Sequence, residues 1–173
     1  MTRKELLEII DSWENLSLLL KEINKNKQQF ELLVDIALRN PEPKSWRAAY
    51  LVDKVHDDFP ELILPYLDAM IETLKTEKNL SKKRHFLKLI SMNGIPEQHE
   101  GFLFDFCLKT LASEEPTAVR VHAMQILYNI SESQPGLKHE ILAQIEHEME
   151  YRSTAGILSR GKKIARKLHR QIQ

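Results

Sequence analysis

The sequence predicts an all-α fold in which antiparallel helix pairs stack into an α-solenoid. Apolar residues recur along the chain at the n, n+3, n+4, n+7 spacing that places them on one face of a helix. The breaks between these stretches are short and contain helix-breaking residues, as in "NPEP", "DDFP", "NGIP" and "SESQPG". Loops of this length place consecutive helices antiparallel and adjacent. Only 5 glycines occur in 173 residues, and no stretch is a strand candidate.

One pattern of apolar residues and prolines occurs twice, 75 residues apart. The stretch "PTAVRVHAMQILYNI" carries apolar residues at positions 123, 126, 127 and 130, and the same types occupy positions 48, 51, 52 and 55. The same offset relates Pro116 to Pro41 and Pro135 to Pro60. It leaves room for one more unit between them, so the repeat is 36 to 40 residues long and contains two helices. Each pair has an apolar face that it cannot bury alone, so neighbouring pairs must stack.

The pattern predicts an N-terminal helix, four helix pairs and a C-terminal capping helix. The first helix extends from about Arg3 to Ser12, with Thr2 and Glu5 at the spacing of a capping box. The apolar stripes of the pairs fall at 16–23 and 30–37, 48–55 and 66–74, 86–90 and 102–107, and 123–130 and 141–149. The capping helix repeats the stripe at 161, 164, 165 and 168. We expect one domain over residues 1–173, with a closed bundle of about eight helices as the competing fold.

At these residues the sequence resembles the HEAT-repeat family. The first helix of a HEAT repeat has a proline, then a Val-Arg pair, then alanine and leucine, and "PTAVRVHAMQIL" matches with Pro116, Val119, Arg120, Ala123 and Leu127. "NPEPKSWRAAYLVDKV" and "STAGILSRGKKIARKL" look like degenerate versions. Helix by helix, the chain is similar to short bacterial HEAT-like proteins without assigned activity. The resemblance implies a right-handed α-solenoid with an ARM-type fold, whose second helices line a concave face that binds proteins or peptides.

The sequence departs from the family at the polar residue expected beside Arg120. The aspartate that typically accompanies the Val-Arg pair is absent from "EEPTAVR". Arginines recur at positions 47, 84, 120 and 160, but only Arg120 follows a valine. An ordered ladder of polar contacts between repeats is therefore not predicted.

No catalytic or metal-binding motif is complete in the sequence. His-Glu pairs occur at 99–100, 139–140 and 147–148, but none continues to the second histidine of H-E-x-x-H, so we expect solvated helix surface there. Cys107 lies on an apolar stripe and is expected in the core. The glycines are scattered and form no phosphate-binding loop. The sequence therefore predicts no enzymatic activity, no metal and no cofactor.

Trp46, Arg47 and Asp53 leave a second interpretation open. The DNA alkylation repair glycosylases are also built of HEAT-like repeats and use Trp, Asp and Arg in a concave, basic groove. The chain has these three residue types close together in the second helix pair, without a recognisable family motif. A nucleic-acid-binding or DNA-alkylation-repair-like protein is therefore the alternative, favoured only if these three residues line one groove with basic neighbours.

The last 23 residues are strongly basic. Residues 151–173 hold seven bases and no acid, a net charge of +7, whereas residues 1–150 carry −7. The candidate partner-binding face of the capping helix consists of Arg160, Lys163, Arg166, Lys167 and Arg170. Three interpretations stay open: a solvated cap of the kind that solenoid ends need, a site for an acidic protein, or a site for nucleic acid or an anionic membrane. The negative charge of the preceding residues would repel nucleic acid or an anionic membrane.

These observations predict a non-enzymatic protein–protein interaction scaffold that presents a concave helical surface and the basic capping helix. The expected partner is an unidentified protein, and the basic face is a candidate site for an acidic one; nucleic acid is disfavoured by the negative charge of residues 1–150. No stretch approaches the roughly 20 apolar residues that span a bilayer, so we expect no membrane insertion and a cytoplasmic location. A homodimer through a solenoid end is a third hypothesis, favoured if Leu6, Ile9 and Trp13 are exposed there or if the capping helix exposes its apolar face. Trp13 itself continues the stripe of the first helix and is expected in the core.

Overall fold

The computed structural model describes residues 1–172, and its regular structure there is entirely helical. The α-helices of these residues are α1 (Arg3–Ser12), α2 (Leu16–Ile23), α3 (Lys27–Arg39), α4 (Trp46–Asp58), α5 (Leu67–Leu74), α6 (Leu80–Ser91), α7 (Glu100–Leu111), α8 (Thr117–Ser133), α9 (Lys138–Tyr151) and α10 (Ala155–Ile172). Pro60 and Pro135, which the 75-residue offset relates, each open a 3-10 turn that leads into the next α-helix. The predicted all-α class, the N-terminal helix, the four helix pairs (α2–α3 to α8–α9) and the last helix are confirmed.

A capping box starts α1 where the sequence predicts it. The Thr2 hydroxyl accepts a hydrogen bond from the Glu5 backbone N at 3.3 Å, and the Glu5 carboxylate accepts one from the Thr2 backbone N at 2.7 Å. These bonds satisfy amide groups that the first turn of a helix otherwise leaves unpaired. At the other end, Trp13 adopts a left-handed backbone conformation with φ of 61°, and its amide donates to the Ile9 carbonyl.

The chain divides into two compact units, residues 1–89 and the residues from Ile90 onward. In the first unit α3 packs along α4. Asn79, just before α6, donates to the carbonyl of Pro43, just before α4, at 3.2 Å. Asn24, just after α2, donates to Asp58 in the last turn of α4 at 3.4 Å. The helices α2, α4 and α6 therefore run parallel, as the first helices of stacked repeats do, and the assignment of the whole chain to one domain stays a prediction.

In the second unit α7 packs against α8, and α10 packs against both α8 and α9. Ser133 at the end of α8 donates to Glu100 at the start of α7 at 2.5 Å, so these helices are antiparallel. The hydroxyl of Thr117 at the start of α8 donates to that of Thr154, just before α10, at 3.0 Å. Consequently α8 and α10 run parallel, and α10 takes the position of a further first helix.

The apolar face of α10 is buried, as the sequence predicts. Its buried residues are Ile157, Gly161, Ile164, Ala165 and Leu168. At Gly161 the helix approaches α9 so closely that a Cβ atom would lie 2.6 Å from the sulfur of Met149. This docking fixes the rotation of α10 about its axis, and with it the direction of the basic side chains.

Arg120 forms a buried ion pair that the sequence did not predict. Its Nη2 donates to Glu148 Oε2 at 2.8 Å, and its Nε donates to the Leu111 carbonyl at the end of α7 at 2.9 Å. The side chains of Arg120 and Glu148 are only 6% and 0% exposed. Gln144 donates to the second carboxylate oxygen of Glu148 at 2.8 Å. The carboxylate missing from "EEPTAVR" is thus supplied by the second helix of the same pair.

The prediction of solvated surface at the three His-Glu pairs is wrong at two positions. Glu148 is buried because it pairs with Arg120. His99 is buried where a 3-10 turn leads into α7. His139, Glu140 and His147 are exposed, as predicted.

Replacing Arg120 with methionine should lower the free energy of unfolding by about 3–5 kcal/mol, because the buried Glu148 carboxylate would lose its cation. The double variant Arg120→Met/Glu148→Leu should recover most of that loss, since it buries no unpaired charge. Urea denaturation followed by circular dichroism measures both. A cost below about 1 kcal/mol for Arg120→Met, typical of an exposed pair, would show that the ion pair is not buried in solution.

Candidate functional site

All five residues of the predicted basic face line one surface cavity in the second unit. The cavity measures about 360 Å³. We call it the basic cavity, and its lining residues are Gln125, Arg160, Lys163, Ile164, Arg166, Lys167 and Arg170. Arg160 is half-buried, and the other four cations are exposed. The lining contains no acidic residue, so the structure brings five positive charges together around one concave surface.

A chain of neutral amide groups holds Arg160 in place. Arg160 Nη1 donates to Gln125 Oε1 at 2.7 Å. Gln125 Nε2 in turn donates to Asn129 Oδ1 at 2.9 Å, and Asn129 Nδ2 donates to the Ser91 carbonyl at 2.8 Å. Because a backbone carbonyl can only accept, the chain sets the orientation of both amides and turns the Gln125 oxygen toward Arg160. The guanidinium is therefore positioned without losing its net charge to a carboxylate.

In the described part of the chain, the other cations of the basic cavity also have no acidic partner. Lys167 Nζ lies 5.1 Å from the centre of the Tyr128 ring, a cation–π contact with a neutral group. Within residues 1–172, none of the five cations has a carboxylate at ion-pair distance. By contrast, His169 on another side of α10 bonds Glu146 at 2.8 Å. The basic cavity therefore keeps a positive potential that an incoming anion can neutralise.

Trp46, Arg47 and Asp53 are engaged in packing and hydrogen bonds within the first unit. Arg47 Nη1 donates to the Asp11 carbonyl at the end of α1 at 2.8 Å, and its guanidinium lies 4.9 Å from the Trp13 ring centre. The rings of Trp13 and Trp46 are 5.7 Å apart. Trp13 is only half-buried, so its predicted place in the core is wrong; it covers the guanidinium instead. These contacts join α1 to α4 and leave Arg47 tied to the protein backbone.

Asp53 lies in a buried network rather than in an open groove. Its carboxylate accepts hydrogen bonds from His85 Nδ1 at 2.9 Å and from Lys88 Nζ at 2.6 Å. Arg84 Nη2 lies 3.0 Å from His85 Nε2, so that nitrogen accepts while Nδ1 donates. Burial acts to raise the pKa of Asp53, but the bonds from His85 and Lys88 outweigh it and lower that pKa. The carboxylate is therefore ionised, and both of its oxygens have hydrogen-bond partners. Asp53 thus stabilises the fold and does not face an open groove.

Sequence reasoning missed the neutral residues that contact or position the cations of the basic cavity. Gln125, Tyr128 and Asn129 lie on α8 beside the predicted apolar stripe. The i, i+4 spacing of Gln125 and Asn129 indicates that their side chains share one flank of the helix. Nothing in that spacing shows that this flank would contact α10, because the contact depends on how the two helices are rotated.

Two observations concern metal binding and the reactivity of Cys107. In the described part of the chain, no group of three or more His, Cys, Asp and Glu residues could hold a metal ion. Cys107 is buried as predicted, and burial raises the pKa of its thiol, which disfavours the reactive thiolate. Among residues 1–172, no helix is both long and apolar enough to cross a membrane.

Comparison with protein families identifies the repeat. The family model of the HEAT repeat domain matches residues 2–168, nearly the whole chain. The chain belongs to the HEAT repeat family. The resemblance found at "PTAVRVHAMQIL" is thus confirmed. HEAT repeats are commonly protein-interaction scaffolds and are generally non-catalytic. No curated protein and no solved structure matches the chain.

Replacing Asp53 with asparagine should lower the free energy of unfolding at neutral pH by about 1.5–3 kcal/mol, because the bonds from His85 and Lys88 lose their charged acceptor. The folded-state pKa of Asp53 lies below its ordinary value of 3.8. The ionised carboxylate therefore stabilises the fold above that pH, and this stabilisation is lost as the pH falls through the folded-state pKa.

Urea denaturation of the natural chain and of Asp53→Asn between about pH 7 and pH 3 checks this dependence. The difference between the two proteins should shrink in the acidic part of the range. A difference that stays constant over the range would contradict the assigned ionised state.

Proposed function

We propose that this HEAT repeat protein is a non-enzymatic, cytoplasmic protein–protein interaction scaffold whose basic cavity binds an acidic segment of a protein partner. The observation that carries the proposal is the cluster of five cations around one concave surface without a carboxylate among them. Such a cluster attracts an acidic partner during diffusional encounter and orients it on arrival. The family supports the scaffold role.

A solvated cap is the plainest alternative, and the positioned cations argue against it. Solenoid ends need a polar outer face, which freely moving lysines and arginines supply. Arg160 is instead hydrogen-bonded to Gln125, and Lys167 makes a cation–π contact with the Tyr128 ring. Fixing a side chain before binding reduces the conformational entropy that association costs. Positioned but uncompensated charge favours a binding site.

Nucleic acid is the second candidate ligand, and the first unit gives it little support. That interpretation required Trp46, Arg47 and Asp53 to line one groove with basic neighbours. Arg47 is bonded to the α1 carbonyls, and Asp53 is buried beneath His85 and Lys88. The basic cavity attracts nucleic acid only through its charge, and a contact of that kind weakens steeply with salt.

Self-association through an end of the repeat array has a similarly weak basis. The hypothesis required Leu6, Ile9 and Trp13, or the apolar face of α10, to be exposed. Leu6 is 0% exposed, Ile9 and Trp13 are half-buried, and the apolar face of α10 is buried. The homodimer therefore stays a prediction, and the residues on which the hypothesis depended are not fully exposed.

Reversing the charge of the basic cavity should strongly reduce capture of the partner. In the triple variant Arg160→Glu, Lys163→Glu, Lys167→Glu, three attractive contacts become repulsive. Each exposed pair contributes up to about 1 kcal/mol, so capture from native cell lysate should fall by about tenfold or more. Quantitative mass spectrometry of the captured protein, with and without nuclease, measures the loss.

The matched control is the triple variant Lys21→Glu, Lys25→Glu, Lys27→Glu in the first unit. These lysines are exposed, and their reversal changes the net charge by the same amount. The control should capture the partner as the natural chain does. If cavity reversal leaves capture unchanged, the cavity is not the site and the concave face of second helices becomes the candidate. If nuclease removes everything that is captured, the nucleic-acid alternative replaces the scaffold.

A further inference from the structure

The basic cavity is large enough to take one anionic group together with part of the segment that carries it. Its volume is about 360 Å³. The five cations lie between positions 160 and 170 of a single helix, a rise of about 15 Å. They line one cavity along this length of helix, which is shorter than a track that follows a polymer backbone over many residues.

We infer that the basic cavity binds the phosphate group of a phosphorylated serine or threonine side chain on the partner. The inference rests on the proposed function, because it names the chemistry of the acidic group that the same site takes. It identifies the source of the phosphate as a protein side chain, since residues 1–150 carry a net charge of −7 that would repel an extended nucleic acid or an anionic bilayer.

A phosphate matches the basic cavity better than a carboxylate does. A phosphorylated side chain carries a charge of about −1.5 to −2 and three acceptor oxygens, whereas a carboxylate carries one charge and two oxygens. Among residues 1–172 the five cations have no carboxylate at ion-pair distance, so they leave a larger positive charge than one carboxylate can neutralise. Several donors that line one cavity also suit three acceptors on a single atom.

Arg160 is the residue that we expect to bond the phosphate directly. Its Nη1 is bonded to Gln125, and its other N–H groups have no acceptor among residues 1–172. The amide chain from Ser91 through Asn129 prevents Gln125 from turning its NH₂ group toward the guanidinium. The free donors of Arg160 are thus held beside the cavity, where the long side chains of Lys163 and Arg170 can close over a bound group.

Gln125→Glu is the sharpest test, because it changes charge at nearly constant shape. The new carboxylate would pair with Arg160 and neutralise the positioned charge. We would follow the backbone amide signals of α10 by NMR while titrating the full chain with the peptide Gly-Ala-Ser-Ala-Gly, with the central serine phosphorylated, unmodified or replaced by glutamate. The phosphorylated peptide should bind at least about tenfold more tightly than the glutamate peptide, and Gln125→Glu should weaken it by about tenfold or more.

Two further variants make the result decisive. Arg160→Gln should weaken the phosphorylated peptide by a similar factor, so the test does not depend on Gln125→Glu folding normally. Lys162→Gln removes an exposed base of α10 that does not line the cavity, and it should change binding by no more than about twofold.

Three results would overturn the inference. Equal affinity for the phosphorylated and glutamate peptides would show that the cavity binds any acidic side chain without preference for phosphate. The proposed function would then be tested by the capture experiment alone. If the phosphorylated peptide does not bind, the cavity is not a phosphate site. The scaffold function would again be tested by the capture experiment. A response of the α10 signals to a single-stranded oligonucleotide or to phosphatidylserine vesicles, but not to the peptide, would assign the phosphate to nucleic acid or lipid.

Discussion

The burial of the apolar face of α10 is the constraint on which the candidate site depends. A helix pair cannot bury its apolar face alone, so the chain continues with α10, which packs against α8 and α9. Ile157, Ile164 and Leu168 turn inward, and Gly161 permits the close contact with Met149. Since the rotation of the helix is then fixed, the bases between the apolar positions must point outward. The same packing sets α10 beside the flank of α8 that carries Gln125, so the docking that stabilises the second unit also builds the basic cavity.

The positioned cations of the protein have two kinds of partner, carboxylates and neutral groups. Arg120 is paired with the buried Glu148, and Lys88 is paired with the buried Asp53, so the charge of each cation is balanced by a carboxylate. Such pairs join elements and leave little for an outside ligand. Arg160 is positioned just as definitely, but by the amide of Gln125. This contrast between balanced and unbalanced cations is the physical basis for placing function at α10 and not at Asp53.

Much of the fold could be predicted from the sequence, because helix periodicity and capping are local properties. The bounds of α1, the order of the helix pairs and the buried face of α10 follow from spacing alone. The partner of Arg120 could not be found in that way, since Glu148 lies 28 residues further along the chain and reads as helix surface. The five basic residues could be selected from their charge and their position on α10. The cavity that they share could not be predicted, because it depends on the rotation of α8 relative to α10, which no local pattern encodes. The half-buried position of Trp13 was missed for a related reason: its left-handed backbone ends the helix, so the helical periodicity no longer determines where its ring lies.

Site-specific photo-cross-linking from two adjacent lysine positions tests the central claim most directly. Lys163 lines the basic cavity, whereas Lys162 is exposed on α10 outside it. A benzophenone amino acid at either position removes one positive charge, so the two variants are matched in charge and differ in direction by about 100° around the helix. After irradiation in living cells, the account predicts a cross-linked protein partner from position 163 and little or none from position 162. Equal cross-linking from both positions, or none from position 163, would contradict the assignment of the basic cavity as the binding site.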